Sequence, residues 1–129
     1  MRQAKAPSQR QLRVGELIRH ALADILNRGE VSDPDLDGRA ITVLEVAMTP
    51  DLKHATAYVR PLVDADGEAV MAGLDRSRKR FRSALAPRVR LKFLPDLRFK
   101  RDTSLDYARK VDAILARPDV ARDLDAGED

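Results

Sequence analysis

The amino-acid sequence predicts an α+β fold in which helices cover a three-stranded sheet. Three patterns indicate this fold. Apolar residues recur at helical spacing over residues 14–26, residues 41–48 and 55–62 have the composition of strands, and residues 90–100 alternate in part between basic and apolar. The predicted order of elements is helix, strand, strand, helix, helix, strand and helix.

The composition is typical of one soluble domain. The chain has 129 residues, of which 43% are hydrophobic and 35% are charged. We expect no membrane span, because no run of about 18 apolar residues occurs, and no secretory signal, because the basic N-terminus lacks an apolar segment. Since the sequence contains no Cys, there is no disulfide framework, and we expect a cytoplasmic protein.

Both ends of the first helix are marked in the sequence. Ser8 with Gln11 three residues later is typical of a capping box, and Gly29 suits the left-handed position after the last turn. The residues predicted to face the core lie on one helical stripe. They are Val14, Leu17, Ile18, Ala21, Leu22, Ile25 and Leu26.

Residues 49–54 have the composition of a turn, and we expect the strands on either side to form an antiparallel hairpin. Pro61 cannot donate to a strand ladder, so it should lie at the end of the second strand or on a free edge. A helical stretch begins near Glu68, and its apolar residues share one face only if the helix breaks within residues 77–80. The sequence therefore predicts two short helices that meet there, the second ending near Pro87.

The last predicted strand begins at Arg90. Its alternation would place Leu91, Phe93, Leu97 and Phe99 on the core face and the intervening cations on the outer face. Aromatic residues make up only 4% of the chain. Phe81, Phe93 and Phe99 fall on apolar faces, whereas the pattern leaves the positions of Tyr58 and Tyr107 open. The sequence therefore offers little support for base stacking.

The two ends of the chain are predicted to differ from the domain between them. Ser104 can cap a final helix, which Pro118 would stop. We expect a flexible N-terminus at residues 1–8, one domain at residues 9–117 and an acidic, disordered tail at residues 118–129.

Positive charge is concentrated in one stretch of the chain. Residues 76–101 carry eleven cations and one acid, Asp96, although the net charge of the whole chain is only +3. Like charges at helical and cross-strand spacing repel, so this block favours an acidic partner, and the predicted role is contact with RNA phosphates. Basic side chains that cover apolar surface are the alternative. The predicted RNA-binding residues are Arg76, Arg78, Lys79, Arg80, Arg82, Arg88, Arg90, Lys92, Arg98, Lys100 and Arg101.

No sequence pattern indicates a catalytic site or a metal site. His20 and His54 have no metal-ligand companion, and the acids within residues 33–37 and 64–66 are more typical of solvated turns than of cation ligands. Nucleotide-binding and nucleophile motifs do not occur. We therefore predict no catalysis, no metal and no cofactor. A small RNA-processing nuclease and a basic protein-interaction module remain the alternatives.

Several strings of the sequence resemble the ribosome-binding factor A family, and their order and spacing are similar to that family's. The resemblance spans roughly residues 10 to 116 and implies a type II KH-like fold, with the order α-β-β-α-α-β followed by a C-terminal helix. The matching strings are residues 13–14, 33–36, 42–46, 49–55, 89–99 and 102–105.

The resemblance also implies a function. Such a protein binds free or immature 30S subunits through 16S rRNA and assists late maturation and 5′-end processing of that RNA, especially in the cold. We expect the unbound protein to be a monomer.

The family differs from other KH domains at the junction between two helices. Other KH domains have a GxxG loop there, whereas this family has a kink of pattern Ala-x-Gly. The kink corresponds to Ser77, Arg78 and Lys79 in this chain. Lys79 lacks the conformational freedom of Gly, but it adds a cation where the RNA backbone would pass.

Overall fold

The computed structural model describes residues 6–102, which form three helices and one three-stranded sheet. This architecture confirms the predicted α+β class and the order of its elements up to the third strand. The elements are α1 (Gln9–Arg28), β1 (Ile41–Met48), β2 (His54–Pro61), a short 3-10 helix (Asp64–Asp66), α2 (Gly67–Arg76), α3 (Arg78–Leu85) and β3 (Asp96–Arg101).

Helix α1 has the two ends that the sequence predicts. The Ser8 side chain accepts a hydrogen bond from the Gln11 backbone N–H, and the Gln11 side chain accepts one from the Ser8 N–H, which completes the capping box. Gly29 follows the last turn with a φ of 63°, the left-handed conformation that Gly adopts readily. Local sequence therefore sets both limits of this helix.

The predicted apolar stripe of α1 is one residue too wide. Ile18, Leu22 and Ile25 are fully buried in the core, but the Leu17 side chain is 43% exposed. The narrower stripe contacts β1 and α3. A helix that packs on two elements needs only part of its surface, so Leu17 falls at the edge of the contact.

The sheet has the order β1-β2-β3. Strands β1 and β2 pair antiparallel, as predicted for the hairpin, with an irregularity between Val43 and Glu45. Pro61 lies at the end of β2, as predicted from its missing N–H. Strand β3 pairs parallel with β2, with His54 opposite Asp96. The first residues of β2 and β3 therefore lie side by side at one end of the sheet.

The predicted third strand starts too early. Strand β3 begins at Asp96, directly after Pro95, and residues 90–95 are irregular. Proline provides no N–H for a ladder and restricts the residue before it, which explains this boundary. Phe93 was predicted to be a core residue, but its side chain is 70% exposed. That prediction was wrong, because it rested on strand periodicity that the backbone does not follow.

Gly15 lies at a close approach between α1 and the sheet. A Cβ atom at this position would overlap the carbonyl oxygen of Val46 in β1. The absence of a side chain therefore allows α1 to pack directly on β1.

Gly15→Ala is expected to lower the free energy of unfolding by about 1–3 kcal/mol, the usual cost of overpacking. This expected loss of stability is opposite in sign to the helix-propensity effect, which favours Ala over Gly by roughly 0.5–1 kcal/mol. Urea unfolding measures the difference, and Ala72→Gly at an exposed position of α2 is the control for propensity alone. A Gly15→Ala protein more stable than the wild type would contradict the close approach.

Four predictions lie wholly or partly outside the described residues. They are the flexible N-terminus at residues 1–8, the end of the domain at residue 117, the final helix that begins near Ser104, and the acidic tail at residues 118–129. Within residues 6–102, no helix is both long enough and apolar enough to cross a membrane.

Candidate nucleic-acid interface

The junction between α2 and α3 lies at Ser77, within the segment where the sequence predicts a break. Ser77 has φ −99° and ψ 8°, and its side chain is fully buried. Its N–H donates to the carbonyl of Gly73, and its carbonyl accepts from the N–H of Phe81, so hydrogen bonding continues across the kink. Over residues 6–102, Leu52 is the only residue other than Gly with a positive φ. Lys79 therefore fits this kink without the conformational freedom of Gly.

Asp33 fixes the kink from the loop that follows α1. Its carboxylate accepts hydrogen bonds from Nε and a terminal nitrogen of Arg76, at 2.9 and 2.6 Å, and a longer one from the Ser77 hydroxyl at 3.4 Å. The Asp33 side chain is only 3% exposed. The interpretation of this acid as a solvated turn residue was therefore wrong. Asp33 holds α2 and α3 at their meeting point.

The surroundings of Asp33 favour its charged form. The hydrogen bonds from Arg76 and from the backbone N–H of Asp35 lower the pKa of the Asp33 carboxyl to about 2. Hydrogen bonds to the carboxylates of Asp33 and Asp35 raise the pKa of the Arg76 guanidinium. Since the folded pKa of Asp33 lies below that of an unfolded Asp, its ionisation stabilises the folded state above about pH 4, and this contribution is lost as the pH falls toward 2.

Asp33→Asn is expected to destabilise the protein at neutral pH, because it removes the negative charge from the Arg76 pair. The difference in melting temperature from the wild type should shrink as the pH is lowered from about 5 to about 2. Thermal unfolding at several pH values measures this difference. Asp75→Asn is the control, since Asp75 is exposed and its closest ion-pair contact is 3.7 Å from Arg78. A difference that stays constant with pH would contradict the assigned role of Asp33.

An open cleft of about 520 Å³ lies between α3 and the adjoining ends of β2 and β3. Four cations and one acid line it, and only His54 among its other lining residues can also gain a positive charge. The parallel pairing of β2 and β3 explains why residues from three elements meet here. The charged lining residues are Arg78, Lys79 and Arg82 of α3, and Asp96 and Arg98 of β3.

Among the described residues, three of the four cations of this cleft have no acidic ion-pair partner, whereas Arg78 lies 3.7 Å from Asp75. Arg82 donates to the backbone carbonyls of Leu94 and Pro95, at 2.8 and 3.1 Å. These acceptors are neutral, so they orient the guanidinium without cancelling its charge. Among the described residues, no ion pair or hydrogen bond involves the side chains of Lys79 or Arg98. A phosphate in the cleft would therefore meet one guanidinium that is already oriented, that of Arg82, and two cations that have no other partner among the described residues.

Five of the eleven predicted RNA-binding residues form ion pairs with acids of the protein itself. Such pairs hold elements together and leave little net charge for a partner. The sequence alone suggested that the eleven cations form one uncompensated surface. The ion pairs show that they do not. The closest pairs are Arg76 with Asp33 and Asp35, Arg88 with Asp24 and Glu30, and Arg101 with Asp64. Two longer pairs join Arg78 to Asp75 at 3.7 Å and Arg80 to Asp33 at 3.8 Å.

Apart from Arg76, Arg88 and Arg101, the predicted cations lie in four places. Arg80 lies beside the kink, where it donates to the Ser32 carbonyl and the Ser77 hydroxyl at 2.7 and 2.8 Å. Lys100 shares the exposed face of β3 with Arg98. Arg90 and Lys92 line a different pocket. The cleft thus brings together Arg78, Lys79, Arg82 and Arg98.

Sequence patterns missed one feature of this region. His54 was treated as an isolated turn residue, yet it lines the cleft with its Nδ1 atom 3.9 Å from Asp96. Only the parallel pairing of β2 and β3 brings these residues together, and no local signal predicts it.

Over residues 6–102, no group of three or more His, Cys, Asp or Glu side chains could hold a metal ion.

The fold and the site together define a KH-like α+β domain with a cationic cleft where its paired helices meet the sheet. The sequence model of the family described as ribosome-binding factor A matches residues 10–115. This chain belongs to that family.

Relatives in the family are similar over nearly the whole chain. A ribosome-binding factor A of Beijerinckia indica is 57% identical over 124 residues, which cover 96% of this chain and 88% of the relative. The corresponding protein of Azorhizobium caulinodans is 56% identical over 128 residues, which cover 99% of this chain and 88% of the relative.

Solved structures of the family share the fold. The crystal structure of ribosome-binding factor A from Thermus thermophilus matches with a TM-score of 0.60 at 28% identity, over 70% of this chain and 93% of that one. A homology model of the Thermus factor, fitted into a cryo-electron-microscopy map of its complex with 30S, matches with a TM-score of 0.54 at 30% identity, over 67% of this chain and 88% of that one.

Proposed function

We propose that this protein is a ribosome assembly factor that binds free or immature 30S subunits through 16S rRNA. Its cleft between α3 and the sheet would receive the RNA backbone. The observation that carries the proposal is the balance of four cations to one acid in this cleft. The 30S complex of the Thermus relative supports the choice of partner.

Recognition would depend on the shape and charge of the RNA more than on its base sequence. Arg82 and Arg98 offer guanidinium groups that can donate two hydrogen bonds to one phosphate, and Lys79 adds a compact point charge. Contacts of this kind position a nucleic acid but carry no sequence information. The remaining exposed cation of β3, Lys100, would extend the contact along the strand.

Binding alone can assist late maturation and 5′-end processing. A ligand shifts an equilibrium between two RNA conformations only by the difference in its affinity for them. The protein would therefore bind precursor 16S rRNA in its immature arrangement more tightly than the mature form. Co-sedimentation with precursor and mature 30S subunits tests this, and equal affinity for the two would contradict the proposal.

No catalytic step is needed in this account. A nuclease would need a cluster of acids or His near the bound backbone. Among the described residues, His54 and Asp96 are the only acid or His side chains that line the cleft. We expect purified protein with magnesium to leave precursor 16S rRNA intact. The appearance of the mature 5′ end in that incubation would favour a nuclease instead.

A further inference from the structure

A second pocket, of about 480 Å³, lies where the N-terminal part of α1 meets the hairpin turn and residues 90–93. One part of its lining is apolar or aromatic and another part is basic. Its lining residues are Arg10, Val14, Asp51, Leu52, Lys53, Arg90, Leu91, Lys92 and Phe93. None of these residues lines the cleft between α3 and the sheet.

Phe93 is the unusual member of this pocket. Its ring is 70% exposed, whereas its neighbours Leu91 and Leu94 pack against the core. The Lys92 ammonium lies 5.7 Å from the centroid of the ring. An exposed aromatic ring beside cations is typical of sites that stack an unpaired base, since every base has an apolar face and is attached to an anionic backbone.

The charges of the pocket point to an anionic occupant. Four cations line it, against the single acid Asp51. Among residues 6–102, no ion pair involves Arg10, Arg90 or Lys92, whereas Asp51 accepts hydrogen bonds from Thr49 and from the Lys53 backbone N–H. A purely apolar partner would leave these cations without compensation. A nucleotide satisfies both parts of the lining.

We infer that this pocket binds one unpaired nucleotide of an RNA strand. The base would stack on Phe93, and the flanking phosphates would lie against Arg90, Lys92 and Arg10. This inference rests on the proposed RNA-binding function and adds to it a second, aromatic contact at some distance along the chain from the kink. It gives the protein a means to detect an RNA segment that has not yet paired.

The first test compares Phe93→Ala with the wild type in binding to a short single-stranded RNA. Loss of one base–aromatic stack is expected to weaken binding by about 5- to 100-fold, while Phe93→Tyr keeps most of the affinity. Leu62→Ala is the matched control, because Leu62 is a 78% exposed apolar residue at the far end of β2 and should leave the affinity unchanged. Equal melting temperatures will show that the variants are folded.

The second test uses the absence of Trp from the sequence. Phe93→Trp introduces a single indole whose fluorescence a stacked base would quench. We expect quenching by the single-stranded RNA and little quenching by an abasic strand of the same length and charge. Equal quenching by the two strands would overturn the inference.

These tests separate the pocket from the proposed function. If the wild type binds precursor 30S subunits but Phe93→Ala binds the single-stranded RNA equally well, the pocket inference fails and the proposed function stands. If Phe93→Ala weakens binding to whole subunits but not to protein-free RNA, the pocket contacts a ribosomal protein and the inference also fails. If the wild type binds neither RNA nor subunits, the proposed function itself is wrong.

Discussion

Replacement of both Lys79 and Arg98 by Gln is expected to weaken binding to 16S rRNA and to reduce its dependence on salt. Each phosphate that a cation neutralises contributes about 0.7–0.9 to the slope of log affinity against log salt, so the loss of two contacts should lower that slope by about 1.4–1.8. The side chains of Lys79 and Arg98 line the cleft from α3 and β3 and form no ion pair among the described residues.

The control for this experiment is a second double variant with the same change in net charge. Arg19→Gln with Arg28→Gln removes two cations of α1 that pair with Glu16 and Asp24. Filter binding or fluorescence anisotropy at several salt concentrations measures both slopes. A control variant that loses as much slope as the cleft variant would show that net charge, and not the cleft, governs binding.

Phe81→Ala is expected to lower the free energy of unfolding by about 3–5 kcal/mol, the usual cost of removing a buried aromatic side chain. Phe81 is fully buried in α3, and its ring packs edge-to-face on Phe99 of β3 with centroids 5.3 Å apart. Since a domain of this size has a total stability of roughly 5–15 kcal/mol, this loss would be a large part of it. The contact also holds the two walls of the cleft together.

Chemical denaturation of Phe81→Ala measures this cost. Phe93→Ala is the matched control, because it removes the same side chain from an exposed position and should change stability by no more than about 0.5 kcal/mol. Similar effects of the two substitutions would contradict the assigned burial of Phe81.

Local signals in the sequence predicted much of the fold. Ser8, Gln11 and Gly29 define the ends of α1 through hydrogen bonds between neighbouring residues, so they can be identified without a structure. The kink at Ser77 was likewise predicted, because the apolar residues on either side could not share one face of a straight helix. In each case the physical cause lies within a few residues of the feature.

Features that depend on distant residues were not predicted. Arg76 pairs with Asp33, which lies 43 positions away, and no property of either segment alone reveals this pair. Charge along the sequence therefore identified a basic region but could not separate cations that stabilise the fold from those that remain available. Phe93 shows the same limit, since its exposure depends on where Pro95 allows β3 to begin.

Site-specific crosslinking tests most directly whether the cleft beside the kink holds 16S rRNA. The sequence has no Cys, so Lys79→Cys can carry a single photoreactive group into precursor 30S subunits, with Leu62→Cys as the control. We predict crosslinks from position 79 to 16S rRNA and few from position 62. Crosslinks from position 79 only to ribosomal proteins, or equal crosslinking to RNA from both positions, would contradict the account.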